Sequence, residues 1–284
     1  LSAEEPVRTP PSLRQLTRGM TSHRSASGHF VVVGRDGGAN MELASWADSL
    51  AARLEKLTGI AMSFENRVFR IVVNDPGDSE LGIVSGTQEF EGTRLVQRLV
   101  IQGYTNAVRE DADELFCRLL LNGCVVERRP AEPDGHAAGS DPAVPRWLSS
   151  GLAQNLSPAA RAQGVKSVLD EWQNGRLPTL EYFLDGAPGA NDEPVNRPMA
   201  GMLAGWMLTL PEKRQRFEAV FSRLAAGKAI TREWFVTCVP ECLSAADLNE
   251  KWENWLLQHR YTVFDPGSLT PELVGQLRSE LVLY

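Results

Sequence analysis

Apolar residues recur along the chain with two spacings, and the change between them divides the sequence into two regions. In the first hundred residues, the β-branched runs at 29–33 (HFVVV) and 69–73 (FRIVV) each end in turn residues, which predicts two strands. The stretch between them has apolar residues three and four apart and stops at Gly59, which predicts a helix. The apolar stripe of this helix consists of Leu43, Trp46, Leu50, Leu54 and Leu57.

Residues 82–102 complete the first region with short strand-like runs separated by Gly86 and Gly92, which predicts a hairpin in a small mixed sheet. From Asp111 onward nearly every segment has helical spacing, and Ser157 followed by Pro158 predicts a helix N-cap with proline at the first position. The sequence therefore predicts an α+β fold, with a small mixed β-sheet N-terminal lobe that also has helices and a mainly α-helical C-terminal lobe.

The predicted domain boundaries follow changes in composition. Residues 1–28 are rich in Pro, Ser, Thr and Arg and are interpreted as a weakly packed lead-in segment. The α+β lobe covers 29–127, a Pro- and Gly-rich loop covers 128–145, and the helical lobe covers 146–284. A last helix is predicted to begin at Thr270, ahead of a proline.

Composition narrows the class of partner. The chain has 284 residues, a net charge of -7 and no Lys/Arg-rich run, which argues against nucleic acid and anionic membrane surfaces. No apolar run approaches the ~20 residues that span a bilayer, and residues 1–12 lack the basic-then-apolar layout of a signal peptide. A peptide, a protein or a small molecule is therefore the expected partner, and the oligomeric state is not readable.

The four cysteines are too few for a disulfide scaffold. Cys117 and Cys124 are seven residues apart on one predicted helix, roughly 10 Å at the helical rise, so they cannot bridge each other. Cys238 and Cys242 flank a proline and can pair only if that segment is a turn.

The order of elements and two sequence segments carry a resemblance to a known family. A buried helix containing ADELFCRLLL (112–121) is followed, after a loop, by VPRWLSSGLA (144–153), and GRLPTL (175–180) and WENWL (252–256) come later. Over roughly residues 28–260 this pattern resembles the gluzincin zinc metallopeptidases, the thermolysin-like and aminopeptidase-like enzymes. Their buried helix carries H-E-x-x-H, and their next helix carries P-x-W-L-x-E-G-L-A.

The resemblance places this chain's residues at the family's zinc-binding positions. Asp113 and Cys117 stand where the two histidines would be, and Ser150 stands where the third ligand, a glutamate, would be. Only Glu114, which matches the family's general base, keeps its residue type. Asp and Cys can bind zinc, but catalytic zinc sites normally have three protein ligands and a serine hydroxyl is a poor one. No metal and no cofactor are therefore expected.

Each of these residues also has a structural interpretation. Asp113 would stabilise the start of its helix, Glu114 would pair with Arg118 one turn later, and Cys117 would fill a small apolar space. Trp147 is a candidate cleft residue, because the matching segment borders the substrate cleft in the resembling family.

Two other kinds of site, a thiol nucleophile and a nucleotide-binding turn, lack the residues that they require. A thiol nucleophile at Cys117 would require a histidine base, and none of the four histidines lies in a local signature for one. The turn GRDGG at 34–38 follows a strand but lacks both G-x-G-x-x-G and the P-loop Lys-Ser/Thr, so it is interpreted as a turn.

The resemblance implies a catalytically inactive, metallopeptidase-like protein that binds a peptide or protein or has a structural role. The alternative is an active hydrolase that uses Glu114 and Cys117, either with atypical metal ligands or through the thiol. A third hypothesis is that the resemblance is accidental and the chain is an unrelated α+β protein. By analogy with the family, the expected location is periplasmic or extracellular.

Overall fold

The structure of the protein is a computed structural model. The residues that it describes are 19–74, 82–103, 109–129, 144–176, 179–184 and 196–259. The predicted helix from Thr270 and most of the predicted 128–145 loop lie outside these ranges.

The described elements follow the predicted order of a strand-rich first part and a helical second part. In chain order they are β1 (Thr21–Arg24), β2 (Phe30–Gly34), α1 (Gly37–Thr58), β3 (Arg67–Asn74), β4 (Ile83–Glu91), β5 (Arg94–Gln102), α2 (Arg109–Glu127), α3 (Arg146–Leu156), α4 (Pro158–Gln173), α5 (Leu180–Leu184), α6 (Arg197–Thr209), α7 (Lys213–Ala225), α8 (Arg232–Val236) and α9 (Ala245–His259). The α+β fold class is therefore confirmed, as an N-terminal five-stranded mixed sheet with a helix and a mostly helical C-terminal region. None of the described helices is long and apolar enough to span a membrane.

The sheet has the strand order β1-β2-β3-β5-β4. The three central strands, β2, β3 and β5, run parallel to one another. The edge strands run antiparallel to their neighbours, β1 to β2 and β4 to β5. Buried and half-buried residues alternate along β2 and the first part of β3, as expected for strands with one face in the core. On that face Phe30 lies opposite Phe69, and Ile71 lies opposite Leu99.

Strand β1 was missed by the sequence analysis, which included it in the lead-in segment. Its four residues, Thr-Ser-His-Arg, carry no apolar alternation, because both faces of this edge strand are largely exposed. What holds β1 in place is polar pairing: Thr21 donates to the carbonyl of Gly34, and Asn40 of α1 donates to the backbone and side-chain oxygens of Thr21.

Helix α1 is attached to the β1–β2 turn by a carboxylate. Asp48 accepts hydrogen bonds from the backbone N–H of Ser27 at 3.0 Å and from its hydroxyl at 2.5 Å. Burial alone would raise the pKa of Asp48, but these hydrogen bonds outweigh burial and lower it. The predicted end of α1 is also confirmed, because Gly59 follows it with a φ of 76°, a value that favours glycine.

Contacts divide the chain into two compact units, Leu1–Leu50 with Phe64–Ala112 and Ala51–Ser63 with Asp113–Tyr284. The second unit contains most of the described helices and the four positions that the sequence resemblance singled out, Asp113, Glu114, Cys117 and Ser150. The domain boundaries inferred from composition stay predictions.

The centre of the helical unit is a close contact of α3 with α6. A Cβ atom added at Gly151 would lie 2.2 Å from the carbonyl oxygen of Ala200 and 2.8 Å from the Cβ of Ala204, so only glycine fits. Asn155, one turn later, donates to the carbonyls of both Gly151 and Gly201, at 2.8 and 2.7 Å. Small residues thus let two backbones approach closely, and one amide joins them.

Two helices of this unit have side-chain caps, and the one predicted at Ser157 is confirmed. Ser157 accepts from the backbone N–H of Ala160, with Pro158 at the first position of α4. Ser244 likewise accepts from the backbone N–H of Asp247 at the start of α9.

We expect Gly151→Ala to lower the free energy of unfolding by about 3 kcal/mol, because the added methyl group meets a backbone carbonyl rather than a side chain that can move. Gly37→Ala, at the first residue of α1, is the matched control: a Cβ there meets nothing within 4 Å, and the change should stay below about 1 kcal/mol. Urea unfolding of both variants measures the difference, and equal stability would contradict the close α3–α6 contact.

Candidate functional site

The four residues that the sequence resemblance singled out lie on α2 and α3. Helix α2 begins at Arg109, with Glu110 and Asp111 in its first turn. The predicted role of Asp113 at the start of this helix is therefore wrong, because Asp113 lies beyond the first turn, where the helix dipole has little effect. Its middle is strongly buried, since Phe116, Cys117 and Leu120 are inaccessible to solvent. The prediction that this helix is buried is therefore confirmed, and Glu114 is a buried carboxylate within it.

Glu114 is bound by two arginines. Its Oε1 accepts from the Nε–H of Arg146 at 3.1 Å, and its Oε2 accepts from the Nε–H of Arg197 at 2.8 Å. The Glu114 side chain is 9% exposed, whereas the arginine side chains are 30% and 33% exposed. One buried carboxylate is thus held between two guanidinium groups that reach solvent, and each oxygen has a charged donor.

These partners correct the predicted pairing with Arg118. The i,i+4 rule considers only neighbours on the same helix, but the oxygens of Glu114 bind arginines 32 and 83 residues away in sequence. Arg146 and Arg197 were not identified as site residues from the sequence. Each is the first residue of its helix, but nothing in the sequence pointed either one at Glu114.

Cys117 lies one turn after Glu114 and is fully buried. Burial is the largest cause that raises the pKa of its thiol, and the negative charges of Asp113 and Glu114 raise it further, against the opposing effect of Arg53. The thiol is therefore protonated at neutral pH. A thiol in this state is neither a nucleophile nor a metal ligand.

Ser150 is the residue at the third ligand position, and it is 1% exposed. Its hydroxyl has no hydrogen-bond partner among the residues that the structure describes. It lies one turn after Arg146 on α3, so the two side chains project from the same side of that helix. A buried hydroxyl that makes no hydrogen bond lowers the stability of the fold, because it loses its hydrogen bonds to water and gains none from protein.

A zinc ion does not fit the donors that these positions offer. Asp113 is half-buried, but the thiol of Cys117 is held in its protonated form and Ser150 offers only a hydroxyl. No group of three or more His, Cys, Asp or Glu side chains comes together among the described ranges of the chain. The cationic groups next to Glu114 are guanidinium groups, which would repel a metal ion.

Trp147, the candidate cleft residue, is buried with 4% of its surface exposed. Most of its ring therefore contacts protein in this structure. Its helix neighbour Arg146 is the more accessible residue at this end of α3.

The other sequence candidates have structural roles. Cys238 and Cys242 are free and half-buried, in a segment of turns between α8 and α9. In the glycine-rich turn at 34–38, Oδ1 of Asp36 accepts from the backbone N–H groups of Gly38 and Ala39. The protein's own carboxylate thus occupies the start of α1, where a bound phosphate would have to lie.

No protein-family profile matches the chain, and neither a curated protein nor a solved structure is significantly similar to it.

We expect Cys117 and Cys124 to resist alkylation in the folded protein, because both thiols are buried and a protonated thiol reacts slowly. Iodoacetamide treatment followed by peptide mass spectrometry should find label on Cys242, which is partly exposed, long before Cys117. Unfolding in concentrated guanidinium chloride is the control and should make all four cysteines react. Labelling of Cys117 in the folded protein at the rate of Cys242 would contradict the protonated, enclosed thiol.

Proposed function

We propose that this protein is a non-catalytic relative of the gluzincin peptidases that binds a peptide or protein segment. The observation that carries the proposal is the binding of Glu114 by Arg146 and Arg197. In a metallopeptidase the matching glutamate takes a proton from a metal-bound water. Here both of its oxygens are engaged by guanidinium groups, and the donors around it do not suit a metal.

The same contacts argue against the alternative of an active hydrolase. A thiol mechanism requires a thiolate next to a base, but the Cys117 thiol has a raised pKa. A metal mechanism requires ligands that Cys117 and Ser150 do not provide. The non-catalytic function is therefore the one that the charges and hydrogen bonds support.

The edge of the sheet supports the binding half of the proposal. Strand β4 is nine residues long, pairs with β5 on one side, and has no second partner among the described strands. Its residues are exposed or half-buried, Ile83 is an exposed apolar side chain, and its sequence contains neither Lys nor Pro, which commonly protect edge strands. An extended peptide could therefore add to this edge through backbone hydrogen bonds.

By analogy with the gluzincin family, we also propose that the protein is periplasmic or extracellular.

A panel of mixed-sequence peptides tests both halves together. We expect no cleavage products by mass spectrometry, with or without added Zn²⁺, and we expect immobilised protein to retain a subset of the peptides. Zinc-dependent cleavage that Glu114→Gln abolishes would contradict the non-catalytic assignment, and retention of no peptide would contradict the binding function.

The control for the resemblance is a variant that restores the family's ligands, combining Asp113→His, Cys117→His and Ser150→Glu. It also carries Arg146→Gln and Arg197→Gln, which remove the guanidinium groups that would repel a metal ion. If these positions correspond to the family's zinc ligands, this variant should bind close to one equivalent of Zn²⁺ by calorimetry while the unchanged protein binds none. A folded variant that binds no zinc would argue that the resemblance is accidental.

A further inference from the structure

A shallow groove lies between α3, α4, α6 and α9, all of which belong to the helical unit. Its described walls carry two amide side chains, one guanidinium group and several apolar side chains. The space that a water-sized group can occupy in it is about 10 Å³, which is enough for one such group, and the groove opens to solvent. Its dimensions therefore suit the end of a chain, with one small group inserted and the rest of the ligand lying in the opening.

Three glycines keep this groove open. A Cβ atom added at Gly201 would lie 3.0 Å from Oε1 of Gln154, and one added at Gly164 would lie 3.1 Å from the same oxygen. A Cβ added at Gly205 would lie 3.3 Å from Oδ1 of Asn155. The oxygens of both amides therefore lie against backbone that carries no side chain, where α3 faces α4 and α6.

The polar side chains of the groove have unused hydrogen-bonding groups. The side-chain amide of Gln154 makes no hydrogen bond within the described part of the chain. The Nδ2 group of Asn155 donates to the carbonyls of Gly151 and Gly201, but its Oδ1 accepts no hydrogen bond from any residue in the described ranges. A ligand that has both a donor and an acceptor therefore finds a partner for each.

Arg161 gives the groove a positive charge in a protein whose net charge is -7. It is exposed, forms no ion pair with the residues that the structure describes, and is the only charged side chain among the described residues lining the groove. An anion is therefore the charged group that suits this position. A carboxylate matches the planar guanidinium group through two parallel hydrogen bonds.

We propose that this groove binds the carboxylate end of a peptide. Arg161 pairs with the carboxylate, and the amides of Gln154 and Asn155 bind the N–H and C=O groups of the last peptide unit. The terminal side chain lies against Val165 and Met202, and the small enclosed space favours one as small as that of alanine. The inference rests on the proposed peptide-binding function and adds a recognition site in the helical unit.

The probe is N-acetyl-alanyl-alanine with a free carboxylate, and its C-terminal amide is the uncharged match. A third ligand, N-acetyl-aspartyl-alanine amide, carries its carboxylate on a side chain instead of the terminus. Each ligand is titrated into the full-length ¹⁵N-labelled protein, and the side-chain amide signals of Gln154 are followed by NMR. These signals are identified by their loss in Gln154→Leu.

We expect the free acid to shift the Gln154 signals saturably, with a Kd on the order of 1 mM, as suits a ligand of this size. The amide should bind about fivefold more weakly, because it lacks the charge that pairs with Arg161. Arg161→Gln should abolish this difference between acid and amide. Lys166→Gln is the matched control, since it removes the same charge from an exposed position of α4 outside the groove lining, and it should preserve the difference.

Gly164→Ala tests the location of the site. The added Cβ would crowd Oε1 of Gln154 and would meet nothing else closer than 3.7 Å, so it fills the groove without striking the backbone. Alanine favours a helix more than glycine does, so the melting temperature should not fall. Affinity for the free acid should fall by about tenfold or more, because the methyl group takes space that the ligand needs.

Equal binding of the acid and its amide, or undiminished binding of the acid by Gly164→Ala, would overturn the inference. Tighter binding of the aspartyl ligand than of the free acid would overturn the assignment to a chain end. If the free acid leaves the Gln154 signals unchanged while the mixed peptide panel is retained, the groove site fails and the proposed function stands. If the panel is not retained, the proposed function fails, and the titration still decides on the groove.

Discussion

The chemistry of the candidate site depends on one interaction, the binding of a single buried carboxylate by two arginines. A carboxylate placed in the apolar middle of a helix is costly unless it is paired and fully hydrogen-bonded. Glu114 meets this requirement through Arg146 and Arg197, which begin two different helices. The pairing therefore fixes where α3 and α6 start relative to α2, and it engages both oxygens of Glu114.

The residues around Glu114 differ in charge from those of a zinc site. A zinc site would supply a dication held by neutral imidazoles and a carboxylate. Here guanidinium groups supply the positive charge, and the buried thiol of Cys117 stays protonated. The hydroxyl of Ser150 has no hydrogen-bond partner among the residues that the structure describes. Guanidinium groups recognise carboxylates through hydrogen bonds but do not activate water as a metal ion does. The proposed non-catalytic function rests on this difference.

Local physics explains what the sequence could predict. The strand periodicity, the hairpin around Gly92, the glycine that ends α1 and the cap at Ser157 all depend on residues within a few positions of one another. The misses depend on long-range contacts. Strand β1 has no apolar pattern and is held by side chains of other elements, and Glu114 binds partners that local spacing rules cannot find. The identities of Asp113, Cys117 and Ser150 already argued against zinc, but the source of the positive charge required the structure.

A double-mutant cycle on Glu114 and Arg197 tests the central claim most directly. Urea unfolding of Glu114→Gln, Arg197→Gln and the combined variant gives the energy that couples the two side chains. The structure predicts a coupling of about 1–3 kcal/mol, because the carboxylate is buried and the bond is charge-assisted. The exposed pair Glu171 and Arg176, 3.6 Å apart, provides a comparison expected to lie near zero. If the change in unfolding free energy of the combined variant equals the sum of the two single changes to within about 0.5 kcal/mol, the side chains are not coupled. That result would contradict this account.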